Sequence, residues 1–228
     1  MTTQTGMKLS KETLNVLKNF ATINSNILIS SGNQIRTVSP MKNIMANATI
    51  SEEFDCEFGI WDLPKLLGTI SLFSDPTFFF EDNYLYIESS GSSVKYYYSD
   101  PRLLTTTDKT VKMPTPVVSF ELTNSAFNEI MKASAVLQLS DLLLQSNNGN
   151  IELVAVDKTD ITSNNYSIVV GDDAGSSDYS FYFKAENLKI LPGDYSVRVS
   201  DMGVSQFTNN DIELDYWIAL ESDSTYTE

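Results

Sequence analysis

Apolar residues recur along the chain in two rhythms, one near 3.6 residues and one of two. Over residues 8–20, Val16, Leu17 and Phe20 fall on one side of a helical wheel, and Lys11, Asn15 and Lys18 cluster within about 60° on the other. Ser10 stands at a predicted N-cap. A second helical pattern covers residues 62–70, with Asp62 at the positive end and Pro64 in the tolerated first turn. A third covers 124–136, where Phe127, Ile130, Met131 and Ser134 share a face opposite Lys132. A fourth, short one is predicted at 186–191 and stops at Pro192-Gly193.

The rest alternates as strands do. Residues 27–30 and 34–39 flank Gly32-Asn33 as a predicted hairpin. Strands follow at 48–50 and at 54–60, where Phe54, Cys56, Phe58 and Ile60 alternate with Asp55, Glu57 and Gly59. Three more are predicted at 77–80, 84–88 and 94–98. The pattern lapses over 99–116, which is rich in Thr and Pro. It resumes with 117–121, a hairpin of 142–145 and 151–156 about Asn148-Gly149, and strands at 166–170, 179–183, 195–199, 204–207 and 212–220. Helix, hairpin, two strands, short helix and three strands thus occur twice. Asp62-Leu63 against Asn187-Leu188, and Phe58-Gly59-Ile60 against Phe183-Lys184-Ala185, suggest an internal duplication. The expected organisation is a disordered leader at 1–6, an N-terminal domain at 7–104, a connector at 105–116 and a C-terminal domain at 117–228.

Charge changes this picture. Fifteen Lys and Arg face 30 Asp and Glu, a formal net charge of −15. At long range such a chain repels nucleic acid and anionic membranes. Yet the helical segments and their approaches hold Lys8, Lys11, Lys18, Lys65, Lys132, Lys184 and Lys189 against Glu12, Asp62, Glu129 and Glu186. The helices are basic and the strands acidic.

Candidate chemistry is sparse. The chain has no histidine, and Cys56 is its only cysteine, so histidine-based triads, His-bearing metal sites and internal disulfides are excluded. No phosphate loop or dinucleotide fingerprint is present. Residues 171–178 resemble a calcium loop only faintly, lacking the acid spacing and closing glutamate, and read better as an exposed turn. No cofactor and no metal are expected. No apolar run reaches the ~18 residues of a membrane span, and residues 1–6 lack the apolar core of a signal peptide.

One family resemblance covers most of the chain. Met7-Lys8-Leu9-Ser10-Lys11, continuing through residues 17–25, resembles the start of the sliding clamps of T-even-type bacteriophages. Asp62-Leu63 with Leu67-Gly68, Leu188-Lys189 with Pro192-Gly193-Asp194-Tyr195, and Tyr216 with Ala219-Leu220-Glu221 match as well. The resemblance implies an α+β, duplicated DNA-clamp fold: two β-sheet-rich domains, each with two helices lining the inner face of a ring. It implies a non-enzymatic homotrimer that encircles duplex DNA and tethers the replicative DNA polymerase. A clamp-loader ATPase would place it, late-transcription factors would use it, and it would work in the cytoplasm of the infected bacterial host.

Carried onto this sequence, the resemblance marks Lys8, Lys11, Lys18, Lys132 and Lys189 as DNA-facing, and helix placement adds Lys65 and Lys184. Val111, Met113, Pro114, Pro116 and Leu220 are candidates for a partner-peptide groove. Tyr96, Tyr97 and Tyr98, set against Tyr166, Ile168 and Val170, are candidates for the subunit interface. The alternative is an acidic β-rich interaction or virion module that makes no DNA contact. A carboxylate-based hydrolase is a more remote third reading.

Overall fold

The computed structural model describes residues 6–107, 111–160, 162–173, 175 and 177–227. The leader expected at 1–6 lies outside these apart from Gly6, as do parts of the connector and of the calcium-like loop. The chain divides into two compact units, Met1–Lys109 and Thr110–Glu228.

In the first unit, helix α1 (Lys11–Ile23) begins where Ser10 caps it, the Ser10 hydroxyl accepting from the Thr13 N–H. Its buried stripe is Thr13, Val16, Leu17, Phe20 and Ile23, one face of a 3.6-residue period. Strands β1 (Ile27–Ile29), β2 (Gly32–Val38), β3 (Ile44–Phe54) and β4 (Phe58–Ile60) follow, and α1 packs against β2 and β3. Helix α2 (Leu63–Ile70) is capped by Asp62, whose carboxylate accepts from the Lys65 N–H at 2.9 Å, with Pro64 in the first turn. Strands β5 (Thr77–Phe80), β6 (Tyr84–Ser89) and β7 (Ser92–Tyr97) form an antiparallel meander.

Two pairings differ from expectation. Residues 27–39 are not a hairpin: β1 pairs with β4, and β2 pairs with β3. Alternation decides which face of a strand is buried, but not which neighbour completes its ladder. Residues 54–60 are likewise two strands, because the chain changes partner at 55–57. There Phe54 and Phe58 turn onto Phe80, with ring centroids 5.4 Å and 5.1 Å away. Gly59 bridges Ser99 so closely that a Cβ would lie 2.7 Å from the Ser99 carbonyl oxygen.

The second unit begins with β8 (Val118–Leu122) and helix α3 (Asn124–Leu137), capped by the Thr123 hydroxyl. Strands β9 (Asp141–Asn147) and β10 (Asn150–Val156) form the expected hairpin. Its turn residues Asn148 and Gly149 both have positive φ, 51° and 79°. Next come β11 (Tyr166–Asp172) and β12 (Asp178–Lys184), then β13 (Tyr195–Ser200), β14 (Val204–Asn209), β15 (Leu214–Ala219) and β16 (Thr225–Thr227). The order β11-β10-β9-β12-β16 makes one antiparallel sheet, and β8-β13-β14-β15 are consecutive neighbours in another. Helix α3 packs on β10 and β11. Strand β16, absent from the sequence reading, closes on β12.

The short helix expected at 186–191 is absent. A single 3-10 turn, Ala185–Asn187, stands in its place without a side-chain cap. Leu188 and Ile190 are buried while Lys189 is exposed, a period of two rather than a helical one. Pro192 disfavours helical backbone at Leu191. The backbone groups a helix would satisfy find tyrosines instead: the Leu191 N–H donates to the Tyr216 hydroxyl at 3.1 Å, and the Tyr195 hydroxyl donates to the Leu191 carbonyl at 2.6 Å. Both tyrosines are fully buried, and burial pushes the Tyr195 hydroxyl up to about 12.

Candidate DNA-facing helices and assembly edges

On α1, Lys11, Asn15 and Lys18 are exposed on the side away from the buried stripe. On α3, Lys132 is exposed opposite Ile130 and Ser134, the helix's two buried residues. Among the described residues none of Lys11, Lys18 and Lys132 forms an ion pair. An anion arriving there displaces only water, whereas a paired lysine would first have to give up its carboxylate.

The other candidate lysines divide. Lys8 is half-exposed and pairs with Asp75 at 2.8 Å. Lys189 is exposed, but on the loop after the 3-10 turn rather than on a helix. Lys184 belongs to β12, and its ammonium lies 2.6 Å from the buried carboxylate of Asp141. Removing it from that partner would leave an unpaired buried charge, so its task is internal. Lys65, exposed on α2, lines a concavity with Trp61, Tyr96 and Tyr97.

The starts of α1 and α3 are each held by a carboxylate from elsewhere in the unit. Glu52 of β3 accepts from the Ser10 N–H and the Thr13 hydroxyl at the start of α1. Asp194, just before β13, accepts from the Asn124 N–H at 2.7 Å at the start of α3. Carboxylates there answer the unsatisfied N–H groups and the positive end of the dipole. Burial works to raise the Glu52 pKa, but the bonds from Thr13 and Ser10 outweigh it and hold the carboxyl below its ordinary value of 4.5. Sequence reasoning missed both anchors because each is more than 40 residues from at least part of the helix it serves.

The interface candidates separate as well. Among the described residues β7 pairs only with β6, and β11 only with β10, so each ends a sheet. Tyr97 is 67% exposed, and the Tyr96 hydroxyl donates to the Asp62 carbonyl at 2.9 Å. Tyr98 turns inward: its ring stacks on Phe58 at 5.2 Å and its hydroxyl is buried. On β11, Tyr166 points to α3 and donates to Glu129, and Ile168 shares its side by alternation, whereas a bulge opposite Ile151 and Glu152 breaks the alternation at Val170.

The comparisons identify what these features belong to. Residues 10–77 match the family described as DNA polymerase processivity factor, and residues 119–222 match the gp45 sliding clamp, C terminal. The sliding clamp of Vibrio phage KVP40 is 32% identical over 222 residues, covering 95% of this chain and all of that protein. That of Enterobacteria phage T4 is 30% identical over 228 residues, covering 96% of this chain and 99% of that one. The chain belongs to the phage sliding-clamp family.

It is a processivity factor for DNA polymerase, in a family without catalytic chemistry. Its fold is the PCNA-like clamp fold: a solved structure of the C-terminal region of FEN-1 bound to A. fulgidus PCNA superposes with a TM-score of 0.70, over 93% of this chain and 96% of that one, at 12% identity. In this clamp, Val111, Met113 and Pro114 are half-buried, and Pro116 is exposed, in a stretch without regular structure. Leu220 is half-buried just past β15, its N–H donating to the Gly203 carbonyl at 2.9 Å. The start of the expected connector is fastened within the first unit. The buried Asn24 amide donates to the Thr105 carbonyl at 3.0 Å, and the Thr105 N–H donates to Asn26 at 2.9 Å. Among the described residues no cluster of three or more acidic, His or Cys side chains could hold a metal, and no helix is long and apolar enough to cross a membrane.

Proposed function

We propose that the clamp acts as a homotrimeric ring around duplex DNA, with the exposed lysines of α1 and α3 facing the phosphates. The observation that carries this reading is that Lys11, Lys18 and Lys132 are exposed and, among the described residues, form no ion pair in a chain of net charge −15. Duplex DNA carries about one charge per 1.7 Å, so a threaded ring needs local positive charge on its inner wall. A Debye length of ~8 Å lets that lining act beneath an acidic exterior. Lysine contacts of this kind are sequence-independent and position rather than read the DNA. Lys8 and Lys189 supplement the lining.

The partners under this reading are the replicative DNA polymerase, a clamp-loader ATPase and late-transcription factors in the cytoplasm of an infected bacterium. Residues 105–116 connect the two domains, 7–104 and 117–228. Val111, Met113, Pro114, Pro116 and Leu220 offer apolar anchors to partner peptides. The unsatisfied edges of β7 and β11 support a head-to-tail assembly in which strands pair between subunits, which also removes two exposed edges.

The test is topological. Loaded with its ATPase and ATP, the clamp stays on nicked circular DNA and leaves within the same interval once the circle is linearised; equal loss from both forms overturns encirclement. Replacing Lys11, Lys18 and Lys132 by Glu lowers loading and extension length while leaving assembly and thermal unfolding unchanged.

A further inference from the structure

Lys65 stands apart from the other helical lysines. It lines a concavity of about 460 Å³ whose other charged walls are Asp62 and Lys95, with Trp61 and Thr69 on the α2 side and Val94, Tyr96 and Tyr97 on β7. Trp61 is 56% exposed there and enters no ring stacking among the described residues. Leaving so large an aromatic face in water forgoes stabilisation that its burial would supply, and tryptophan anchors in pockets commonly carry interface energy. Residues of β7 line the concavity, and among the described residues that strand has a neighbour on one flank only.

The second unit carries a surface of opposite character beside its own open edge. Along α3, Glu129, Ala133 and Val136 fall within about 60° on the helical wheel. Glu129 is placed over β11 by the Tyr166 hydroxyl, and Val136 is 71% exposed. Val169, on the outward face of β11, is 58% exposed. A carboxylate accepts up to about four hydrogen bonds, so Glu129 can take another donor beside Tyr166.

We infer that Lys65 belongs to the joint between subunits rather than to the DNA lining. In this joint the β7 edge of one copy joins the β11 edge of another, Val136 seats in the Trp61–Tyr96 concavity, and Lys65 pairs with Glu129 of the neighbouring copy. The occupant of the concavity is therefore a second copy of this chain. Three observations select it: two strand edges that are unpaired among the described residues, an exposed Trp61 ring in a mostly polar hollow against the exposed Val136, and the Lys65 and Lys95 cations of the hollow against the Glu129 anion beside Val136. Because the two patches differ, the contact is head to tail and directional. The pair stands at the partly wet rim of a strand junction, so it sets register and salt sensitivity more than total affinity.

This inference rests on the assembly reading above, and the experiment separates the two. Sedimentation velocity over a concentration series compares wild type, Lys65→Glu, Glu129→Lys and the double exchange at low and high salt. Each single reversal raises the dissociation constant about tenfold at low salt, and the double exchange returns it to within about threefold of wild type. Trp61→Ala weakens assembly as well, and in wild type acrylamide quenching of tryptophan emission falls as subunits associate. Both charged positions are exposed on helices, so unchanged thermal unfolding marks the variants as folded. If wild type assembles but the single reversals assemble equally well, or the double exchange gives no recovery, the joint is overturned. Reversals that leave assembly intact but impair DNA loading return Lys65 to the lining. A wild type that stays monomeric at every concentration overturns the assembly reading itself.

Discussion

Helix α1 buries five residues, Thr13, Val16, Leu17, Phe20 and Ile23, whereas the longer α3 buries only Ile130 and Ser134. In the first unit a capped α2 follows four strands later; in the second, the corresponding stretch is one 3-10 turn and a segment without regular structure. Both units nevertheless present exposed lysines on the long helix and hold its start with a distant carboxylate, Glu52 or Asp194. The difference teaches that the charged face and the anchored start are shared, while the depth of burial is free to vary. A helix that needs to offer charge to solvent requires only enough apolar contact to stay in place.

The largest effect expected from this comparison is on helix anchoring. Phe20→Ala opens a cavity beneath α1 and costs about 3–5 kcal/mol, while Ile130→Ala costs about 2–3 kcal/mol because half-buried Phe127 and Met131 can close over the gap. Denaturant unfolding of both variants checks this, and a greater loss at Ile130 would break the contrast. Next in size are the side-chain bonds that hold the two corresponding short turns, one at the start of α2 and one after the 3-10 turn. Tyr216→Phe leaves the Leu191 N–H without its buried acceptor, costing about 1–3 kcal/mol. Asp62→Ala removes the α2 cap at about 1 kcal/mol. A Tyr216→Phe variant as stable as wild type would show that the 188–191 segment does not depend on its tyrosines.

The smallest effect is the pH dependence of Glu52. Its pKa is lowered in the folded protein, so its contribution is complete above the ordinary value of 4.5 and fades as pH falls through the lowered native value. The difference in unfolding free energy between wild type and Glu52→Gln therefore shrinks from about pH 6 to about pH 3. A difference that does not change with pH would mean that α1 is held at its start by Ser10 without the Glu52 carboxylate.

Much of this was legible in residue order. The Ser10 and Asp62 caps, the split of α1 into apolar and basic faces, and the Asn148-Gly149 turn all depend on neighbours a few positions apart. The exposure of Lys11, Lys18 and Lys132 was readable for the same reason. Lys184 was not, because only the pairing of β12 with β9 brings it to Asp141, 43 residues away. Tyr98 was misread for a similar cause: period-two alternation ends with β7, and the ring follows the chain into the cluster around Phe58.

Sequence by itself therefore determined the two periodicities, the helix starts, the acidic strands against basic helices, and the family. These are consequences of local spacing and of charge carried by residue type. Tertiary structure alone decided that β1 joins β4, that residues 188–191 form no helix and bond to two buried tyrosines, and that Lys65 shares a hollow with Trp61. A strand's ladder and a lysine's counter-ion come from whichever distant segment packs alongside, and alternation or net charge carries no record of that neighbour.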